Sequence, residues 1–345
     1  MKLALLKYDF IPSVNIGDYI QSLAAAQYFG GADWHQDDKG EALRLISRER
    51  LSDYEGEAVR MIMNGWYMHQ PQHWPPSPQI DPLFVAFHIS RGSEEGVLSP
   101  AGVSYLRRHE PIGCRDKDTM AMLLKRGIKA YYSSCLTLTL DLRYKTSQRT
   151  GEILFVDPCM DSKAQWYRKL EKRKLIKNAR VECLNAMPIE STTKPECFYR
   201  LYGQIFPLSL LEKASYLRHS LPVSRFEDQH ALFDYADGLL RRYASARFVV
   251  TSRIHCALPC LALNTPVIYV YDQHYDAIER GRVETLLKLF QVVNLRGNKF
   301  SSDDIDLQRL RASESFAFSL SNKQLHRPYA DNLKEHVKEW ISHEK

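Results

Sequence analysis

No stretch of this 345-residue chain is long and apolar enough to suggest a bilayer span, which takes about 20 mostly apolar residues in a row. The most apolar segment, Cys256 to Tyr271, is interrupted by Pro259, Asn264 and Pro266. The Leu3–Leu6 patch is too short for an export signal and has no small-residue cleavage pattern after it, so it reads as a strand. Glycine and proline are scarce, 16 of each, which excludes collagen-like and low-complexity chains. The seven cysteines include no CxxC pair, and Cys256 and Cys260 share a helix face. Free thiols in a reducing compartment are expected, not a zinc site or a disulfide framework. The dinucleotide fingerprint GxGxxG, the phosphate loop GxxxxGK(S/T), the metal helix HExxH and the GxSxG elbow are all missing. No repeat recurs at a solenoid period.

What is present is ordinary globular material, 44% hydrophobic and 26% charged, in a length that suits two domains at roughly 100–200 residues each. The net charge of +6 is concentrated: Lys163–Arg180 holds eight Lys/Arg and one Glu. That segment is either a solvated helix face or a patch for an anionic partner such as a phospholipid surface. The aromatic and glycine patterns of RNA-binding modules are missing, so nucleic acid is not expected as a partner.

Strand patterns alternate with helix patterns, which argues for an α/β protein with parallel sheets. Strands are expected at Lys2–Tyr8, Val59–Met63, Leu83–Ile89, Ile112–Arg115, Ile128–Ser133, Ile153–Val156, Val181–Leu184, Arg247–Thr251, Pro266–Tyr271 and Val292–Asn294. Helices are expected at Tyr19–Phe29, Pro100–Arg108, Asp118–Arg126, Tyr199–His219, Asp228–Ala244 and Asn332–Ile341. Arg44–Leu51 reads as a short helix or a strand. Polar Lys145–Gly151 reads as a linker. It divides an N-terminal lobe (1–148) from a C-terminal lobe (149–320), with a closing helix over 321–345. Two sheet lobes of similar size suggest an enzyme with a central cleft.

The strongest chemical signal is the run Phe248-Val-Val-Thr-Ser-Arg-Ile-His255, where a strand passes into a helix capped by Thr251 or Ser252. Ligands of parallel sheets bind beyond the carboxyl ends of strands, and a helix start there favours anions. Arg253 offers a planar fork for carboxylate or phosphate, and His255 can move a proton near neutral pH. Ser252 belongs to the same turn. A similar junction carries Arg115, with Asp116 or Asp118 as the helix cap. If the lobes face each other through their strand ends, two guanidiniums meet one ligand bearing two or more negative charges. Asn15-Ile-Gly-Asp18 follows the first strand, with Asp18 as a helix cap or a direct substrate contact. The loop holding Trp66, Tyr67, His69, His73 and Trp74 suits either a sugar face or lobe packing. His88 ends a strand, as an interior histidine or a ligand. His274, Arg280 and Arg282 follow the Pro266–Tyr271 strand.

These segments together resemble the polysaccharide pyruvyl transferase family. The resemblance rests on Asn15-Ile-Gly-Asp18, on Gly113-Cys-Arg-Asp-Lys-Asp-Thr119 with the following Gly127–Ser134, and above all on Phe248–Val270, and it covers most of residues 10–290. It implies a GT-B-like fold of two Rossmann-type lobes with parallel sheets facing a central cleft. It implies transfer of pyruvate from phosphoenolpyruvate, as a ketal, to a sugar of a surface polysaccharide or its lipid-linked precursor, with no cofactor or metal. Donor binding and catalysis carry over onto Arg253, His255 and Arg115, with Ser252 in the donor turn. Asn15, Asp18, Trp66, His88 and Arg282 are the expected acceptor contacts. The expected location is the cytoplasm, with peripheral contact at an anionic inner membrane face. Two alternatives stand beside this: a GT-B-like glycosyltransferase, which a nucleotide sugar would stabilise, and a silent glycan-binding subunit, which would bind glycan without Arg253 and His255.

Overall fold

The structure is a computed structural model that describes residues 1–9, 13–159, 190–191, 196–273 and 283–343. The basic segment Lys163–Arg180, the expected strand Val181–Leu184, and His274, Arg280 and Arg282 lie outside the described residues. The chain forms two compact units. The first holds Met1–Tyr144, Pro222–Leu240 and His326–Lys345, and the second Lys145–Leu221 and Arg241–Leu325. It is a mixed α/β protein with several parallel sheets. Among the described residues no helix is long and apolar enough to cross a membrane.

The first unit opens with strand β1 (Lys2–Lys7), helix α1 (Ile16–Ala26), β2 (Arg44–Ser47), β3 (Val59–Ile62), β4 (Gly65–Tyr67), β5 (Ile80–Leu83) and β6 (Phe87–Ile89). Helix α2 (Pro100–Arg108), β7 (Ile112–Cys114), α3 (Lys117–Lys125) and β8 (Ala130–Tyr132) follow. The strands make two four-stranded sheets, in the orders β2-β1-β3-β5 and β4-β6-β7-β8, and every pairing in both is parallel. The uniform apolar run expected as one strand over Leu83–Ile89 is two strands in different sheets. Ala86, at φ 52°, breaks the run, and a non-glycine residue adopts that left-handed conformation only where surrounding structure imposes it.

Helix α1 is buried along its whole length. Its alanines let it lie close beside neighbouring backbone, and left-handed Gly30 (φ 78°) stops the short 3₁₀ turn that extends it. Its cap is Asn15, whose Oδ1 accepts the Gly17 N–H at 3.1 Å. Capping therefore does not explain Asp18, which is buried in the first turn.

The second unit begins with β9 (Ile153–Val156), β10 (Glu190–Ser191), α4 (Glu196–Tyr202), α5 (Leu208–Lys213) and β11 (Ser215–Leu217). Helix α6 (Gln229–Ser245), whose residues up to Leu240 belong to the first unit, precedes β12 (Phe248–Thr251), α7 (Ile254–Ala262), β13 (Val267–Asp272), β14 (Gln291–Arg296) and β15 (Lys299–Ser301). One seven-stranded sheet runs β10-β11-β9-β12-β13-β14-β15. Its five inner strands are parallel and its two edge strands antiparallel. Strands β9, β12 and β13 are buried at every residue, as the continuous apolar runs of a covered parallel sheet require. On one face, Phe155 meets Phe198, Tyr202 and Phe206 edge to face.

The single helix expected over Tyr199–His219 is two short helices and a strand. The helical run gives out around Gly203 and Pro207, and Tyr216 and Leu217 are buried in β11 beside β9. The last helix, α8 (Arg327–Ser342), closes the first unit.

Candidate functional site

Taken in chain order, the parallel strands of the second unit stand 2-1-3-4-5 across the sheet, so the order reverses between β9 and β12. Ligands of open parallel sheets bind beyond the strand ends at such a switch point. Two side chains meet there. Asp157 follows β9 and Arg253 follows β12, and the Arg253 Nε donates to Asp157 Oδ2 at 3.0 Å. Asp157 has a left-handed backbone (φ 39°). The same carboxylate also accepts the His219 N–H at 2.9 Å and the Tyr216 hydroxyl at 3.3 Å. It thus fixes the edge of the guanidinium while the Arg253 side chain keeps 46% of its surface exposed.

The turn into α7 is built differently from the sequence expectation. Neither Thr251 nor Ser252 is the cap: Arg253 occupies that position, with no side-chain cap bond. The Thr251 hydroxyl donates to Val156 O at 2.7 Å and accepts the Arg253 N–H at 2.9 Å. The Ser252 hydroxyl donates to Val270 O at 2.7 Å and accepts the Cys159 N–H at 2.9 Å. Both hydroxyls are committed to holding β9, β12 and β13 in register. His255 stands in the first turn of α7, half-buried, two residues from Arg253.

His219 was not singled out from the sequence. It is buried, its N–H is on Asp157, and its Nε2 lies 2.7 Å from the Tyr243 hydroxyl. Burial pushes its pKa down to about 4, against the opposing pull of Asp157. Asp157 was missed as well, although it ends a strand just as Arg115 and Arg253 do.

The first unit gathers its own polar cluster at the carboxyl ends of its strands. Arg115 is buried, 5% exposed. Its Nη1 donates to Gln21 Oε1 at 3.0 Å, and Gln21 Nε2 donates to Asp18 Oδ1 at 3.2 Å. Asn64 donates to the Gln21 carbonyl at 2.7 Å. Arg48, 4% exposed, bonds Glu49 at 2.8 Å and lies 3.8 Å from Asp18. Its guanidinium covers the Trp66 ring at 4.0 Å and the Tyr8 ring at 4.9 Å. Glu49 accepts the backbone N–H groups of His69 and Gln70, each at 2.8 Å. Asp18 and Trp66 are therefore in one network with Arg48, while Asn15 is an exposed helix cap.

His88 belongs to a neighbouring buried pair. Its Nδ1 lies 2.5 Å from Asp116 Oδ2 and 3.1 Å from the Thr119 hydroxyl. Asp116 is the cap of α3 and accepts the Thr119 N–H at 2.8 Å. Burial raises the Asp116 pKa, but His88, Arg115 and the Thr119 N–H together bring it down to about 2. Among the described residues no group of three or more His, Cys, Asp or Glu side chains is placed to hold a metal ion.

Fold and site together define a parallel α/β protein with a cationic strand-to-helix junction at the switch point of its second unit. The profile of the polysaccharide pyruvyl transferase family matches residues 15–274, and the chain belongs to that family. It is thereby a transferase of polysaccharide biosynthesis. The matched span takes in Arg115, Arg253 and His255. No curated protein sequence matches the chain.

Proposed function

We propose that the chain transfers pyruvate from phosphoenolpyruvate to two hydroxyls of one sugar, forming a cyclic ketal on a polysaccharide or its lipid-linked precursor. The observation that carries this reading is the Asp157–Arg253 pair at the switch point, with His255 in the adjoining first helical turn. An oriented guanidinium beside a helix start is suited to the carboxylate or phosphate of the donor. Arg115 is the second donor-binding guanidinium in this reading.

The reaction balances without a redox partner. The donor methylene carbon gains a proton and becomes methyl, and C2 acquires oxocarbenium character. Two sugar oxygens bond to C2, and the C2–O bond to phosphate breaks. Of the two hydroxyl protons released, one balances that on the methyl group and the other leaves with phosphate. His255 is the proposed proton-transfer residue. Arg253 stabilises the charge that builds on the departing phosphate. Asp18, Trp66 and His88 are the proposed acceptor contacts, and Asn15 contributes through the cap that places Asp18.

The test is phosphate release from phosphoenolpyruvate in the presence of candidate glycan acceptors. Substituting His255→Ala should lower turnover about 10²–10⁴-fold, the usual contribution of acid–base catalysis. Wild-type turnover in that variant removes the assignment, and stabilisation by nucleotide sugars but not by phosphoenolpyruvate removes the donor.

A further inference from the structure

We infer that the first unit carries a separate binding site for a neutral sugar, in a cleft between edge strand β8 and the last helix α8. The inference rests on the reading above only for the idea that the sugar belongs to the acceptor glycan. The cleft has a volume of about 440 Å³, within the roughly 300–1,000 Å³ of small-ligand pockets. Tyr131 and Tyr132 of β8 line one side. Tyr329, His336 and Glu339 line the other, at helical spacing along α8.

Ring contacts tie the two walls together: Tyr131 meets His336 edge to face at 6.1 Å and 83°, and Tyr132 meets Tyr329 edge to face at 5.5 Å and 80°. Aromatic side chains lining a cleft suit the C–H faces of a pyranose. Tyr131 reaches its position because β7 has a glycine beside it: a Cβ on Gly113 would lie 2.9 Å from the Tyr131 hydroxyl oxygen. Burial raises the Tyr131 phenol to about 12, so it is a hydroxyl donor at neutral pH.

The charge of the lining selects the ligand class. Glu335 and Glu339 line the cleft, and among the described residues no Lys or Arg does. Phosphate, phosphoenolpyruvate or a nucleotide would face carboxylates with no counter-charge, the reverse of the situation at Arg253. A neutral polyol donates hydroxyl hydrogens to those carboxylates and sets its apolar face on the rings. The helical wall is also anchored. Arg60 of β3 stacks on Trp340 at 3.9 Å and donates to the carbonyls of Trp340 and Ile341. Lys334 pairs with Asp141 at 2.7 Å. A wall held in place before binding loses little freedom when a ligand arrives.

The experiment is saturation-transfer NMR and calorimetric titration of the full chain with neutral di- and trisaccharides of glucose, galactose and mannose. Spermidine and phosphoenolpyruvate serve as charged comparators. At least one neutral oligosaccharide should receive saturation at its ring protons. Tyr329→Ala and His336→Ala should each weaken its binding about tenfold, and Glu335→Gln, at an exposed position, gives a second readout in a chain that keeps its fold. Phosphate release with a single-sugar acceptor should be unchanged in all three. The inference is overturned if no neutral oligosaccharide of the panel binds, if binding survives all three substitutions, or if only spermidine binds. Sugar binding at this cleft without phosphoenolpyruvate turnover would instead sink the proposed reaction and leave the site standing.

Discussion

At the scale of single residues, the informative side chains are charged groups that the fold buries and pairs. Asp157 serves three donors at once, so Asp157→Ala leaves the Arg253 Nε, the His219 N–H and the Tyr216 hydroxyl without their acceptor. Alanine also tolerates the left-handed backbone at this position poorly. A loss of about 2 kcal/mol or more in urea unfolding is expected, with Asp157→Asn milder because asparagine adopts that conformation more readily. His219 gives a pH prediction. Its pKa falls from 6.5 to about 4 on folding because it is buried. Between those values the unfolded chain binds the proton and the folded chain does not. The contribution of His219 is therefore complete above its unfolded pKa, and stability falls as pH drops toward 4, by about 3 kcal/mol at the acid end. His219→Gln should flatten that limb by a similar amount when unfolding is measured across the pH range. Arg115 and Arg253 were legible because each ends an apolar strand. Arg48 and Glu49 were not, because a charged Arg-Glu-Arg triplet has no local mark of burial.

Among the elements, α1 and α8 show how local signals and distant contacts divide the work. The α1 start is local: Asn15 caps it, and Asn15→Ala should cost about 1 kcal/mol, read from the shift in chemical unfolding. The α8 end is not local. Its last carbonyls are bonded by Arg60, which comes from β3. Arg60→Ala should speed hydrogen exchange through Arg327–Ser342 while leaving exchange in β9 and β12 unchanged, since those strands belong to the other unit. The helix over Asn332–Ile341 was readable from its periodicity. The breaks at Ala86 and between α5 and β11 were not. A short apolar run looks the same whether it continues in one sheet or passes to another.

For the whole molecule, the proposed reaction assigns donor binding to two guanidiniums, Arg115 and Arg253, each following a strand of its own sheet. Arg115→Lys and Arg253→Lys should each raise the KM for phosphoenolpyruvate about tenfold or more, because lysine keeps the charge but loses the planar fork. Steady-state kinetics with acceptor held constant checks this. A KM unchanged in Arg115→Lys would restrict donor binding to the second unit. The units are each assembled from separated stretches of chain: residues 222–240 and 326–345 make their contacts with the first.

The sequence by itself determined the parallel α/β class, the positions of most strands, and the two strand-to-helix junctions bearing Arg115 and Arg253. Those features depend on periodicity and on capping within a few residues, which neighbouring side chains and backbone dictate. Only the tertiary structure decided that Asp157 holds Arg253, that Arg48 is buried against Trp66, and that β8 and α8 enclose a cleft. Each of these requires contacts between residues far apart in the chain, and the local sequence carries no record of which partner will neutralise or cover a given side chain.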